Sequence, residues 1–169
     1  MPAPSAANRA GAAPAMNRRE TPTRVAFSRR EPTPLVSSID QSVTRGRGWI
    51  NIGPDLDEVD PRALGRPSFF SGRGPTVPLG TFVPGSGRAD HQVGLEHGAG
   101  KGAARLLREA GIELPPGCRV VQDHPRRGLI LAIAPTTEAA VVARVLLSAA
   151  VELTPIPLPE RWTAEIYLG

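Results

Sequence analysis

The chain has 169 residues, a net charge of +4, 19 prolines and 18 glycines; the length is near that of one domain, and a Pro/Gly share above the ordinary ~12% predicts a folded part shorter than the chain. Cys118 is the single cysteine, which excludes an internal disulfide framework and a cysteine-rich zinc module and suits a reducing, cytoplasmic setting. No run reaches the ~18 apolar residues of a membrane span.

Positive charge is concentrated at the start. Residues 1–48 hold eight arginines against Glu20, Glu31 and Asp40, whereas residues 91–169 hold eight basic and eight acidic residues. Residues 1–46 read as a disordered Arg/Pro/Ala-rich tail, with "RVAFS" and "PLVSSI" as brief apolar touches. Such a tail can contact phosphates.

Residues 47–89 read as an irregular Gly/Pro-rich segment that packs on the core. "GWINIG" suits a short strand. "DLDEVDPRALG" suits a helical turn, with Asp60 as cap, Pro61 at the first position and Gly65 as the stop. Glycine and proline then punctuate too often for long elements. Phe69, Phe70 and Phe82 are nevertheless too apolar for a linker, and together with Trp162 they are candidate interaction residues.

From Asp90 the pattern becomes regular. "HQVGLEH" (91–97) alternates as a strand does, and "GKGAARLLREAG" (100–111) has helical spacing with Gly111 at its stop. "CRVVQ" (118–122) is a strand, "DHPRRG" (123–128) a turn and "LILAIA" (129–134) a central strand. A long helix over 135–153 and a last strand over 163–169 complete the order. Strand, helix, strand, strand, helix, strand is the split βαβ pattern. Residues 90–169 are therefore expected to form an α+β, ferredoxin-like βαββαβ two-layer sandwich, its strands in the order 4-1-3-2.

"GLEHGAGKGAARLL" looks like a phosphate loop at first sight. A Walker loop needs a hydroxyl after its lysine, and Gly102 stands there; the dinucleotide fingerprint fails as well. A plainer expectation survives: amides at a glycine-rich helix start attract anions. The expected topology gathers His97, Gly98, Gly100, Lys101, His124, Arg126, Arg127 and Arg161 on one rim, as an anion-binding site.

No metal or cofactor is expected. His91 and His97, six apart on a strand, would lie about 20 Å from each other. Cys118 has no charge cluster around it and suits a buried structural role. His97, Asp123 and His124 are the residues an enzyme would use, but nothing in the sequence compels one. The sheet lacks the aromatics of a base-stacking surface, so nucleic acid would be held through phosphates. The leading expectation is a small non-enzymatic accessory protein that binds a phosphate-bearing partner, nucleic acid included, through the basic rim. The alternative is a protein-interaction or scaffold domain acting through the open sheet face, with a protein partner or a second copy.

Overall fold

The computed structural model describes residues 21–58 and 74–169. The expected helical turn after Asp60, together with Phe69 and Phe70, lies outside these residues. The described elements are β1 (Thr23–Ser28), α1 (Thr33–Arg45), β2 (Trp49–Pro54), a 3-10 turn (Leu56–Glu58), β3 (Leu79–Val83), β4 (His91–Glu96), α2 (Ala103–Glu109), β5 (Arg119–His124), β6 (Gly128–Ile133), α3 (Ala139–Glu152) and β7 (Arg161–Tyr167).

All seven strands form one sheet in the order β1-β7-β2-β3-β4-β6-β5, with every neighbouring pair antiparallel. This corrects the expectation of a four-stranded ferredoxin-like sandwich. The six elements from β4 to β7 lie where the residue pattern puts them, but β7 does not pair with β4. The β2–β3 hairpin stands between them, with Ile50 opposite both Phe82 and Ile166, and β1 extends the sheet beyond β7.

The physical reason is apolar periodicity before Asp90, where the sequence predicts only one short strand, at "GWINIG". β2 buries Ile50, Ile52 and Pro54 on one face, and β3 buries Gly80 and Phe82, which is the alternation of a half-buried strand. Residues 23–45, expected in the disordered tail, form β1 and α1. Helix α1 buries Leu35, Ser38, Ile39 and Ser42, so two serines complete its inward stripe. Gly46 closes the helix in the left-handed conformation (φ 64°), its N–H bonded to the carbonyls of Ser42 and Val43.

The three helices lie on one face. α3 packs against α1 on one side and α2 on the other, above β3 and β4. Its buried residues, from Val142 and Ala143 to Ala149 and Ala150, cover a little over half of the helix circumference, as its central place requires. Beneath it the strands contribute Phe27, Ile52, Phe82, Val93, Leu131 and Trp162 to one continuous core. The result is two layers: helices on one side, sheet on the other. No described helix is long and apolar enough to cross a membrane.

Candidate functional site

The new strand order pulls the expected rim apart. Arg161 opens β7, four strand spacings from β6, or about 19 Å at the usual strand separation. Its guanidinium is paired with Glu58 and, at 3.6 Å, with Asp55. The carboxylates hold Arg161 above its ordinary pKa, the Glu58 hydrogen bond being the chief cause.

His97 is also withdrawn from the rim: it is 1% exposed, and neither ring nitrogen has a hydrogen-bond partner among the described residues. Burial lowers its pKa, opposed by the nearby Asp123 charge. Asp123 in turn occupies the start of α2. Its Oδ1 accepts from the N–H of Ala103 at 3.1 Å and its Oδ2 from that of Ala104 at 3.0 Å. The helix amides that would attract an anion thus already hold one from the chain itself. Gly100 (φ 87°) and Gly102 (φ 77°) shape the loop so that these amides face Asp123. Gly98 has a packing reason as well, since a Cβ there would come within 3.0 Å of the Pro75 carbonyl oxygen.

His124 is engaged in the β5–β6 turn: its Nδ1 accepts from the N–H groups of Arg126 (3.1 Å) and Arg127 (3.2 Å). Lys101, Arg126 and Arg127 remain exposed. Phe82 and Trp162 are 0% exposed and belong to the core, not to an interaction surface; the Trp162 indole N–H donates to the Pro159 carbonyl at 3.1 Å. Cys118 is half-buried, and burial raises its pKa. Among the described residues no cluster of three or more His, Cys, Asp or Glu side chains is placed to hold a metal ion.

The unoccupied feature is on the other side of the sheet. Among the described residues all helices pack on one face, and the opposite face carries a groove of about 440 Å³. Its lining includes Trp49, Leu79, Thr81, Val83, Gly94 and Ile130, with Gln92, Glu96 and Arg127 toward its ends. One wall is fixed by contacts within the face. Trp49 stacks on Tyr167 with centroids 4.6 Å apart and planes 9° from parallel. The Tyr167 hydroxyl donates to Glu165 at 3.2 Å, and Arg24 pairs with Glu165 at 2.8 Å. The Thr81 hydroxyl donates to Asn51 Oδ1 at 3.0 Å across the β2–β3 ladder.

Gly94 floors the groove, and nothing among the described residues requires a glycine there. Its φ is not positive, and an added Cβ would meet nothing closer than the Thr81 Cβ at 3.8 Å. Gly80 on the helix-covered face is the contrast, because a Cβ there would lie 2.8 Å from Ile52 Cγ1. Glycine inside a strand costs about 0.5–1 kcal/mol relative to alanine, and one without an internal reason marks a place where an outside group comes close. Trp49, Leu79 and Val83 join this face only because β2 and β3 stand between β7 and β4, a placement that no local sequence signal gives.

Compared with known proteins, the chain matches no family model, no curated protein and no solved structure.

Proposed function

We propose that this chain is a non-enzymatic protein-interaction module that binds through the open face of its sheet. The observation that carries the reading is the groove over Gly94, where Trp49, Leu79, Val83 and Ile130 lie exposed or half-buried among Asn51, Thr81, Gln92, Glu96 and Arg127, on a face that no described helix covers. Apolar groups gathered among polar ones on an uncovered face suit an interface. An anion-binding role draws less support from the geometry. The α2 amides are occupied by Asp123, and Arg161 is paired and distant.

The experiment compares cross-linked adducts of the tagged full chain in cells with those of two variants. Gly94→Arg fills the groove; Arg144→Glu alters the helix layer on the other side. The expected result is an adduct, with a second copy or with another polypeptide, that Gly94→Arg abolishes and Arg144→Glu retains. Adducts unchanged in Gly94→Arg would sink the proposal.

A further inference from the structure

The open face has a pattern that identifies what fits it. Along the β4–β6 ladder each outward row sets a large residue beside a small one, and the sides alternate. Gly94 on β4 is the direct partner of Ile130 on β6, and Gln92 is the direct partner of Ala132. At the top, Glu96 adjoins Gly128, where a Cβ would come within 3.2 Å of the Glu96 Cα. Knob beside hole, repeated in register, is the arrangement that a surface needs in order to fit itself after a two-fold rotation.

Charge follows the same pattern. Glu96 and Arg127 both line the groove at the end where Glu96 adjoins the β5–β6 turn. Among the described residues neither side chain is in an ion pair, although both are exposed. Opposite charges side by side and unpaired within one copy become two reciprocal pairs when a second copy is rotated onto the first.

Building on the reading that the open face is the binding surface, we propose that its partner is a second copy of this chain, packed sheet to sheet as a symmetric dimer. The two-fold axis runs parallel to the strands between β4 and β6. That axis lays β4 over the partner's β6. It seats Ile130 of each copy over the glycine floor of the other and brings each Glu96 to the other's Arg127. Aligned sheets stack about 10 Å apart, which leaves room for one interdigitated layer of side chains.

Size sets the expected strength. Four strands overlap on each side, a footprint of about 19 by 20 Å from ordinary strand dimensions. That is about 400 Å² per copy and about 800 Å² in all in projection, below the ~1,200 Å² at which standard specific interfaces begin and in the range of weak, transient ones. The dimer is therefore a reversible one, with a Kd in the micromolar range.

The test is sedimentation equilibrium of the purified full chain from about 1 to about 500 μM, the range a small interface requires. The expected result is a monomer–dimer equilibrium that Gly94→Leu weakens at least tenfold while melting temperature is unchanged. Glu96→Arg and Arg127→Glu each weaken it by about tenfold or more, and the double reversal E96R/R127E recovers the parent's Kd to within about threefold. This recovery separates the proposed axis from any dimer through another face. A dimer indifferent to Gly94→Leu and to both charge reversals overturns the proposal. So does a monomer at every concentration. If that monomer still gives a Gly94-dependent adduct with another protein in cells, the open-face reading stands and only the identity of the partner fails. If it gives none, both fail.

Discussion

The carboxylate of Asp123, at the end of β5, accepts both first-turn amides of α2, from Ala103 at 3.1 Å and from Ala104 at 3.0 Å. The two elements are separated by a loop in sequence, and Asp123 is the tie that closes the α2–β5 unit. α2 is a short helix, Ala103–Glu109, with no side-chain cap from its own N-cap residue, which is Gly102. Asp123 does from a neighbouring strand what a capping side chain does locally. Asp123→Ala should therefore destabilise the protein by about 1–2 kcal/mol, and Asp123→Asn by less because one acceptor oxygen is kept. Urea unfolding of the three proteins measures this. Equal midpoints would mean that the cap contributes nothing.

Gly80 and Gly94 are a matched pair on adjacent strands with opposite expectations. At Gly80 a Cβ would meet Ile52 Cγ1 at 2.8 Å and Leu146 Cδ1 at 3.1 Å, inside the core between sheet and α3. Gly80→Ala overpacks that site and should cost about 1–3 kcal/mol. Gly94→Ala adds its methyl to open space and removes strand-glycine entropy, so it should leave stability unchanged or raise it by about 0.4–1 kcal/mol. Thermal melts of the two variants check the contrast at once. A Gly94→Ala variant as unstable as Gly80→Ala would mean that the open face is packed more tightly than its groove indicates.

Residues 23–45 carry core side chains, so removing residues 1–46 should unfold the domain. Phe27 is 5% exposed, and Leu35 and Ile39 are 0% exposed. Burial of each such side chain contributes about 1.5–3 kcal/mol, and their sum is comparable with the whole stability of an ordinary domain, about 5–15 kcal/mol. Deletion would also bare the hydrogen-bonding edge of β7, which pairs with β1 from Thr23 to Ser28, and bare edges aggregate. Circular dichroism and amide dispersion of a chain starting at Arg47 decide it. A cooperatively folded product would show that β1 and α1 are dispensable.

The same segment shows what could be read from sequence and what could not. From Asp90 onward the apolar residues carry the pattern themselves: Val93 and Leu95 alternate, and the Ala139–Glu152 stretch is apolar through most of its turns. Those elements were legible. In α1 the inward stripe alternates leucine and isoleucine with Ser38 and Ser42, so half of the stripe is polar in composition and is buried by packing against α3, β1 and β2. β3 presents only Gly80 and Phe82 inward, and a glycine gives no hydrophobic signal. Strand order was the larger loss. Nothing local says that the β2–β3 hairpin enters between β7 and β4, and this placement decides both the dispersal of the basic rim and the shape of the open face. Asp123 reads from the sequence as an acid that an enzyme would use beside His97 and His124, but its tie to the α2 amides depends on long-range placement that no motif encodes.

His91 and His97 together predict loss of stability on mild acidification. His91 is 2% and His97 1% exposed. Burial is the leading cause that lowers both below the ordinary value of 6.5. His91 has a further reason to stay neutral: its Nδ1 accepts the Gly85 N–H at 2.9 Å, and a proton on that nitrogen would break the bond. In the unfolded chain both titrate normally, so the unfolded state binds more protons as pH falls below 6.5. The stability that the neutral rings contribute is fully present above that pH and is lost as pH falls from 6.5 through their lowered folded values. Each proton taken up only by the unfolded chain changes stability by about 1.4 kcal/mol per pH unit. Unfolding free energies measured between pH 7.5 and 5 should therefore fall, the two rings together contributing a slope of no more than about two protons. His97→Leu removes a titrating ring that has no hydrogen-bond partner among the described residues to lose, so it should reduce the slope by up to one proton. His91→Leu should also flatten the slope, but with lower stability at pH 7.5, because the Gly85 amide loses its acceptor. A slope in His97→Leu equal to that of the parent would place the acid sensitivity elsewhere in the protein.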